Sequence, residues 1–146
     1  MGGGVPANAD SRTSGVHPKS PTVLVVEDDL LIRIGIAEYL RECGFDVIEA
    51  SNADEAITVL TSESFPVEVV FTDVQMPGSM DGFGLAQWVR ANRSTVKVIV
   101  TTGVARKAND AKELCGDGPL MPKPYGHGDV ESRIRKLLAE RDQTTL

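Results

Sequence analysis

Cysteine, histidine and tryptophan are scarce in this 146-residue chain, which contains two Cys, two His and one Trp. Cys43 and Cys115 lack the spacing of zinc ligands, and the sequence shows no secretory signal, so we expect both thiols to be reduced. His17 and His127 have no partners at metal-binding spacing either. These absences argue against a disulfide-stapled scaffold and against a zinc site.

Long apolar runs and basic clusters are also missing. No run approaches the roughly 18 residues that a membrane-spanning helix requires. Pro6 stands where N-myristoylation needs Ser or Thr. Acidic residues outnumber basic ones by 21 to 15, and the longest basic cluster, 133–136, is interrupted by Ile134. We therefore expect a cytoplasmic protein that binds neither membrane nor nucleic acid.

The first 21 residues are rich in Gly, Pro and Ser and show almost no apolar periodicity. Such a segment cannot bury enough apolar surface to offset the entropy lost on ordering. We expect a disordered leader at 1–21, one domain at 22–141, and a short C-terminal tail at 142–146. The hydrophobic content of 41% is sufficient for a core in a domain of this size.

The apolar pattern between 22 and 141 alternates between strand-like and helix-like segments. Strands are expected at 22–26, 45–50, 67–71, 96–101 and 120–121. Helices are expected at 29–43, 53–62, 82–92, 105–115 and 128–141. The first helix has its apolar residues at three- and four-residue spacing, at Ile32, Ile36, Tyr39, Leu40 and Cys43. Five successive β-α units predict an α/β fold, doubly wound and flavodoxin-like, with a five-stranded parallel sheet in the order 2-1-3-4-5.

Polar side chains stand at the carboxyl ends of four of these strands. They are Glu27 and Asp28 after the first strand, Asp73 after the third, Thr101 and Thr102 at the fourth, and Lys123 after the fifth. Ligands of open parallel sheets bind outside the carboxyl ends of the strands. In the expected order, strands one and three are neighbours, so Glu27, Asp28 and Asp73 should converge.

Three adjacent carboxylates repel one another, and a hard divalent cation relieves that repulsion. Mg²⁺ accepts a few carboxylates, keeps several waters and leaves room for phosphate oxygens. The alternative for 27–29 is a set of acids that complement the dipole at a helix N-terminus. That alternative explains neither Asp73 nor Lys123.

The chemistry this set could perform is phosphoryl transfer to a carboxylate. Asp73 would be the nucleophile and would form an acyl phosphate. The metal would neutralise the incoming phosphoryl oxygens. Lys123 would pair with one of those oxygens, and Thr102 would donate a hydrogen bond once the phosphoryl group had arrived.

With these motifs the sequence resembles a response-regulator receiver domain of two-component signalling. The matching pieces are Val-Leu-Val-Val-Glu-Asp-Asp at 23–29, Phe-Thr-Asp-Val-Gln-Met-Pro at 71–77, Val-Ile-Val-Thr-Thr-Gly at 98–103 and Met-Pro-Lys-Pro-Tyr at 121–125. Their order and spacing also fit, and the resemblance covers about 22–140. It implies a phosphoacceptor protein whose only catalytic activities are self-phosphorylation and self-dephosphorylation.

The resemblance assigns a role to each site residue. It implies that Asp73 is the phosphoacceptor, Thr102 the switch hydroxyl and Lys123 the phosphate-pairing lysine. It implies that Mg²⁺ (or Mn²⁺) is bound directly by Asp28 and Asp73, largely through water by Glu27, and by the backbone carbonyl of Gln75. It also implies a cis peptide bond before Pro124.

The same resemblance implies partner proteins. The sequence also departs from the family pattern in two places. The donor would be a histidine kinase or a histidine phosphotransfer protein. A chain with no output domain after 140 would act as a stand-alone receiver, through the fourth expected helix (105–115), the fifth strand and the fifth helix. Leu120 stands where the family often has an aromatic residue, and Gly78-Ser79 lengthens the loop after Pro77. The aromatic switch of the family should therefore be absent in its usual form.

Three rival functions differ in class. A haloacid-dehalogenase-type phosphatase also uses an aspartate nucleophile, but it needs a second Asp where this chain has Gln75. A flavin-binding protein would need phosphate-cradling donors where this chain has acids at 27–29. A receiver-shaped interaction module that works without phosphorylation remains the main alternative.

Overall fold

The computed structural model describes residues 20–102 and 120–144, with side chains as far as Arg141. Most of the expected leader, the helix expected at 105–115 and residues 145–146 lie outside the described residues. Within the described part, no helix is both long enough and apolar enough to cross a bilayer.

Five parallel strands form one sheet in the order β2-β1-β3-β4-β5. They are β1 (Thr22–Val26), β2 (Asp46–Ala50), β3 (Val69–Asp73), β4 (Lys97–Thr102) and β5 (Leu120–Pro122). Every residue of β1 and of β3 is buried, as expected for central strands covered on both faces. The predicted fold class and strand order are confirmed.

Four described helices cover the two faces of the sheet. They are α1 (Leu30–Glu42), α2 (Ala53–Thr61), α3 (Gly82–Asn92) and α4 (His127–Thr144). The side chains of Asp29, Asn52 and Asp81 accept hydrogen bonds from backbone N–H groups in the first turns of α1, α2 and α3, which caps each helix start.

Successive residues of each central strand point into two separate apolar layers. Leu24 and Val26 pack on the side of α2 and α3, whereas Val23 and Val25 pack on the side of α1 and α4. The first layer also includes Leu60, Val70, Leu85 and Val89, and the second includes Ile36, Leu40, Phe71 and Ile134. These layers fix the sheet between the helices and hold the strand ends in register.

Two sequence expectations are wrong in detail. Ile32, expected on the buried face of α1, is 48% exposed, and its neighbour Leu31 is 80% exposed. Only the loop at 27–29 separates the first turn of α1 from the end of β1, so its side chains lie at the sheet edge and not over the core. The third strand covers Val69–Asp73 instead of 67–71, which makes Asp73 its last residue.

The last helix is longer than the expected 128–141, because it continues to Thr144. The sequence of its C-terminal turns is polar and carries no apolar period to mark them as helical. An ion pair between Arg141 and Glu68, at 2.7 Å, ties this part of α4 to the chain just before β3. A contact between residues so distant in sequence is not visible in local periodicity.

The fold makes a specific demand at Gly82, the first residue of α3. A Cβ atom there would collide with the carbonyl oxygen of Asp73 and lie 2.8 Å from the Cα atom of Val74. Both obstacles are backbone and cannot rotate away. We predict that Gly82→Ala lowers the free energy of unfolding by more than about 2 kcal/mol in urea denaturation.

Gly35→Ala is the matched control, because a Cβ atom there meets only the His127 side chain at 3.7 Å. In a helix interior this change should leave stability unchanged or raise it by up to about 1 kcal/mol. Equal effects of the two substitutions would show that the close approach of α3 to Asp73 does not constrain the fold.

Candidate functional site

Three carboxylates from two neighbouring strands meet at one edge of the sheet. Glu27 and Asp28 directly follow β1, and Asp73 ends β3. Because Val26 pairs with Thr72 in the parallel register, the residues that follow each of them are adjacent. One carboxylate oxygen from each acid lies within 4.8 Å of the other two. The structure thus brings together the three acids that the sequence singled out.

The cluster combines burial with like charge. Glu27 is 5% exposed and Asp73 8% exposed, whereas Asp28 is exposed. The pKa of Glu27 is raised to about 7, chiefly by burial; the hydrogen bond from the Asp29 N–H opposes the rise, and the nearby charges of Asp73 and Asp28 contribute to it. The charged form of Glu27 is therefore costly unless a cation is present.

A hard divalent cation fits this donor set. All three groups offer carboxylate oxygens at one place, and oxygen ligands are those that Mg²⁺ and Mn²⁺ prefer. The exposed Asp28 leaves one side of the cluster open to water and to a ligand. Gln75 is exposed two residues after Asp73, and the role of its backbone carbonyl stays a prediction.

Lys123 reaches the cluster from the far side of β4. Its Nζ atom lies 3.2 Å from Oδ2 of Asp73, and its backbone N–H donates to the carbonyl oxygen of Thr102 at 3.0 Å. The Lys123–Pro124 peptide bond is cis, as expected. The ammonium group and the carboxylate are thus held together from strands that are two apart in the sheet.

Thr102 is the last residue of β4 and is 5% exposed. Its neighbour Thr101 pairs with Asp73 in the sheet. Thr102 is therefore placed at the same edge of the sheet as the acids and Lys123. Gly103, which follows it in the quoted motif, lies outside the described residues.

Tyr125, to which the sequence analysis gave no role, is an aromatic residue near this site. Its ring packs edge-on against Phe71, with centroids 5.8 Å apart. Burial raises the pKa of Tyr125 to about 12, with further contributions from the charges of Glu27 and Asp73. Leu120, at the position where the family often has an aromatic residue, is half-buried and packs on the α2–α3 side of the sheet.

Arg33 and Glu49 are further residues that the sequence analysis missed. The Arg33 guanidinium donates to the carbonyl oxygen of Glu27 at 2.8 Å and to the carboxylate of Glu49 at 3.1 Å. The only sequence signal was an arginine six residues after Glu27, in the first turn of the helix. Nothing local indicated that β2 would supply its partner.

The comparison with known families follows the same part of the chain. The family model described as "Response regulator receiver domain" matches residues 23–135. The chain belongs to this family. It is thus a receiver domain of two-component signalling, as the motifs indicated.

Relatives of this receiver domain include proteins of different overall build. It is 37% identical over 122 residues to the transcriptional regulatory protein AruR of Pseudomonas aeruginosa, and the aligned region covers 81% of this chain and 49% of AruR. It is 32% identical over 125 residues to the sensor kinase CckA of Brucella abortus, and the aligned region covers 84% of this chain and 13% of CckA. The chain therefore spans about half or less of the length of these relatives.

Solved structures share the fold over nearly their whole length. A CheY-like receiver domain from Methanospirillum hungatei superposes with a TM-score of 0.76 at 24% identity, covering 86% of this chain and 98% of that one. TrrA from Thermotoga maritima superposes with a TM-score of 0.70 at 26% identity, covering 80% of this chain and 98% of that one. The arrangement of this receiver domain is thus similar to that of chains of its own size.

The raised pKa of Glu27 predicts an unusual pH dependence of stability in metal-free protein. Between its ordinary value of 4.5 and about 7, the folded state holds a proton that the unfolded state has released. Stability therefore falls as pH rises through this window. Glu27→Gln removes the dependence, so with chelator present it should gain up to about 3 kcal/mol over wild type by pH 8.

Glu55→Gln is the control with the opposite sign. Hydrogen bonds from the backbone and side chain of Ser51 hold the pKa of Glu55 below its usual range. Its contribution to stability is present at neutral pH and disappears as pH falls. Urea denaturation from pH 4 to pH 8 compares the variants, and a Glu27→Gln difference that does not change with pH would contradict the electrostatic description of the cluster.

Proposed function

We propose that this receiver domain accepts a phosphoryl group on Asp73 from a phosphohistidine donor and that the modification changes how it binds a partner protein. Mg²⁺ (or Mn²⁺) would be held by Glu27, Asp28, Asp73 and the backbone carbonyl of Gln75. The observation that carries the proposal is the placement of one nearly buried carboxylate, Asp73, between two other acids and an ammonium group.

The proposed transfer uses the groups in distinct roles. A carboxylate oxygen of Asp73 attacks the phosphorus atom and forms an O–P bond. The P–N bond to the donor histidine breaks, and its electron pair stays on the imidazole ring. Glu27, Asp28 and Asp73 would hold the metal, which would supply positive charge near the phosphoryl oxygens. Lys123 moves its ammonium group from Oδ2 of Asp73 towards a phosphoryl oxygen.

Thr102 would then bind the phosphoryl group on Asp73. A phosphoryl group brings close to two negative charges and strong acceptor oxygens. The Thr102 hydroxyl, at the end of β4, would donate to one of these oxygens. Because the backbone N–H of Lys123 donates a hydrogen bond to the Thr102 carbonyl oxygen, movement of Thr102 would also shift the start of the loop that follows β5.

The donor would approach over the start of α1. Leu30, Leu31 and Ile32 are 55%, 80% and 48% exposed. Leu31 and Ile32 line a cavity of about 460 Å³ that also includes Glu27 and Lys123. An apolar surface beside the acceptor suits a histidine kinase or a histidine phosphotransfer protein. The output surface is proposed at 105–115, β5 and α4, of which the first part lies outside the described residues.

Two observations favour this function over its rivals. Gln75 is not an acid that could protonate a leaving group, which disfavours an aspartate-nucleophile phosphatase. The TrrA structure was determined in complex with Mg²⁺-BeF, so a relative of this chain binds Mg²⁺, as proposed here. A module that works without phosphorylation would have no need for the costly acidic cluster.

Removing the acceptor tests the proposal directly. We predict that Asp73→Asn abolishes labelling by acetyl phosphate and Mg²⁺ while the fold survives, because the amide is not a nucleophile for phosphorus. Intact-protein mass spectrometry would detect the phosphoryl group, and hydroxylamine would remove it if it is an acyl phosphate. Asp54→Asn, at an exposed acid in the first turn of α2, is the matched control and should label like wild type.

Labelling that persists in Asp73→Asn would place the acceptor on another residue. A wild-type protein that binds Mg²⁺ but is never labelled would favour the phosphorylation-independent module. A label that resists hydroxylamine would show a phosphoester and not an acyl phosphate.

Replacing Lys123 should slow phosphoryl transfer without weakening metal binding. We predict that Lys123→Gln slows labelling more than about tenfold, because the phosphoryl oxygens lose their cationic partner. Mg²⁺ affinity should stay equal or rise, because a positive charge has left the cluster. Lys136→Gln, at an exposed lysine of α4, controls for net charge, and a normal labelling rate in Lys123→Gln would remove Lys123 from the mechanism.

A further inference from the structure

The backbone of Glu27 lies just beyond the end of the sheet hydrogen bonding. The pairs of β1 with its two neighbours end at Val26, opposite Ala50 on one side and Thr72 on the other. The Glu27 N–H still finds the carbonyl oxygen of Ala50 at 3.0 Å. Its carbonyl oxygen accepts instead from the side chain of Arg33, Nη1, at 2.8 Å. A buried carbonyl at this place needs such a partner.

Arg33 is itself held in place from the other side. Its Nε atom donates to Oε1 of Glu49 on β2 at 3.1 Å, and its side chain is only 15% exposed. The planar guanidinium group thus bridges a backbone oxygen of the acidic loop and a carboxylate of the neighbouring strand. A rigid fork of donors can meet two acceptors at once in fixed geometry, which a lysine ammonium cannot reproduce.

We propose that Arg33 is a positioning residue for the cation site, an inference that rests on the proposed function. By holding the Glu27 carbonyl against β2, Arg33 fixes the short loop from which Glu27 and Asp28 extend. The Asp29 N–H, in the same loop, directs the Glu27 carboxylate through a 3.0 Å hydrogen bond. With the loop fixed on this side, the two acids stay at binding distance from Asp73 on β3.

Charge and geometry make opposite predictions for this residue. Arg33 is a cation next to an acidic cluster, so Coulomb's law alone says that its removal should strengthen binding of a divalent cation. If the role of Arg33 is to position the loop, its removal should weaken that binding. Removing a residue that orients metal ligands typically lowers the metal affinity ten- to hundredfold, so we expect Mg²⁺ affinity to fall about tenfold.

Arg41 provides a matched control on the same helix. Its Nη2 atom contacts the other carboxylate oxygen of Glu49, Oε2, at 3.2 Å and the carbonyl oxygen of Val47 at 3.1 Å. Its described hydrogen bonds are thus to β2, whereas those of Arg33 also include Glu27. Arg41→Gln therefore removes the same charge and the same salt-bridge partner without touching the acidic loop.

The experiment measures the dissociation constant of Mg²⁺ by calorimetry on unphosphorylated, chelator-treated protein. The variants are wild type, Arg33→Lys, Arg33→Gln and Arg41→Gln, each checked by thermal unfolding without metal. We expect about tenfold weaker binding in both Arg33 variants and a change of less than about threefold in Arg41→Gln. Acetyl phosphate labelling of Arg33→Lys should be slow at low Mg²⁺ and return to the wild-type rate at saturating Mg²⁺.

Each outcome decides the inference. Wild-type Mg²⁺ affinity in Arg33→Lys, or tighter binding in Arg33→Gln, would overturn the positioning role and leave only a charge effect. If Arg33→Gln does not fold, Arg33→Lys, which keeps the charge, decides alone. A labelling defect that saturating Mg²⁺ does not correct would also overturn it. Failure of wild type to bind Mg²⁺ or to be labelled would instead contradict the proposed function.

Discussion

Repulsion among three carboxylates at one sheet edge is the constraint on which the rest of the site depends. Glu27, Asp28 and Asp73 come from two strands and have oxygens within 4.8 Å of one another. Burial makes the charged form of Glu27 costly in the absence of positive charge, and the nearby charges of Asp73 and Asp28 add to that cost, so the pKa of Glu27 is raised to about 7. Lys123 at 3.2 Å from Asp73 offsets part of the cost, and a divalent cation would offset more of it. A cluster of this kind could hold a metal ion.

The fold supplies the rigidity that keeps these acids together. The cluster lies at the ends of β1 and β3, whose residues are all buried between two apolar layers. Burial of that much apolar surface stabilises the sheet and prevents the strand ends from separating to relieve the repulsion. The Asp29 N–H and the Arg33 guanidinium then fix the Glu27 side chain and its carbonyl individually. Stability elsewhere in the domain thus maintains an unfavourable local arrangement.

The sequence was sufficient for the fold and for the convergence of the main polar groups. Continuous apolar runs marked the central strands, and alternation with helices implied parallel order, which places every strand end at one edge. The bounds of α3 were also predictable, because breaker residues before the helix determine where it begins. What the sequence could not show was non-local. The partner of Arg33 lies on β2, and the exposure of Ile32 depends on where α1 meets the sheet edge.

The smaller errors in the predicted bounds and roles arise because sequence patterns report only on local structure. The shift of β3 to Val69–Asp73 comes from its pairing with β1 and β4 and not from its own composition. The extension of α4 beyond 141, to Thr144, directly follows Arg141, which contacts Glu68. Tyr125 was given no role because its position against Phe71 depends on how the chain runs after β5. In each case a tertiary contact determined a boundary or a side-chain position that the apolar periodicity of the sequence could not predict.

The most direct test of the acidic cluster as a cation site is paramagnetic broadening of backbone amide signals by Mn²⁺. If the three acids form one site, substoichiometric Mn²⁺ should selectively broaden the amides of residues at the carboxyl ends of β1 and β3, around Glu27, Asp28 and Asp73. An excess of Mg²⁺ should restore them. Broadening centred on other acidic residues, or spread evenly over the surface, would contradict the account.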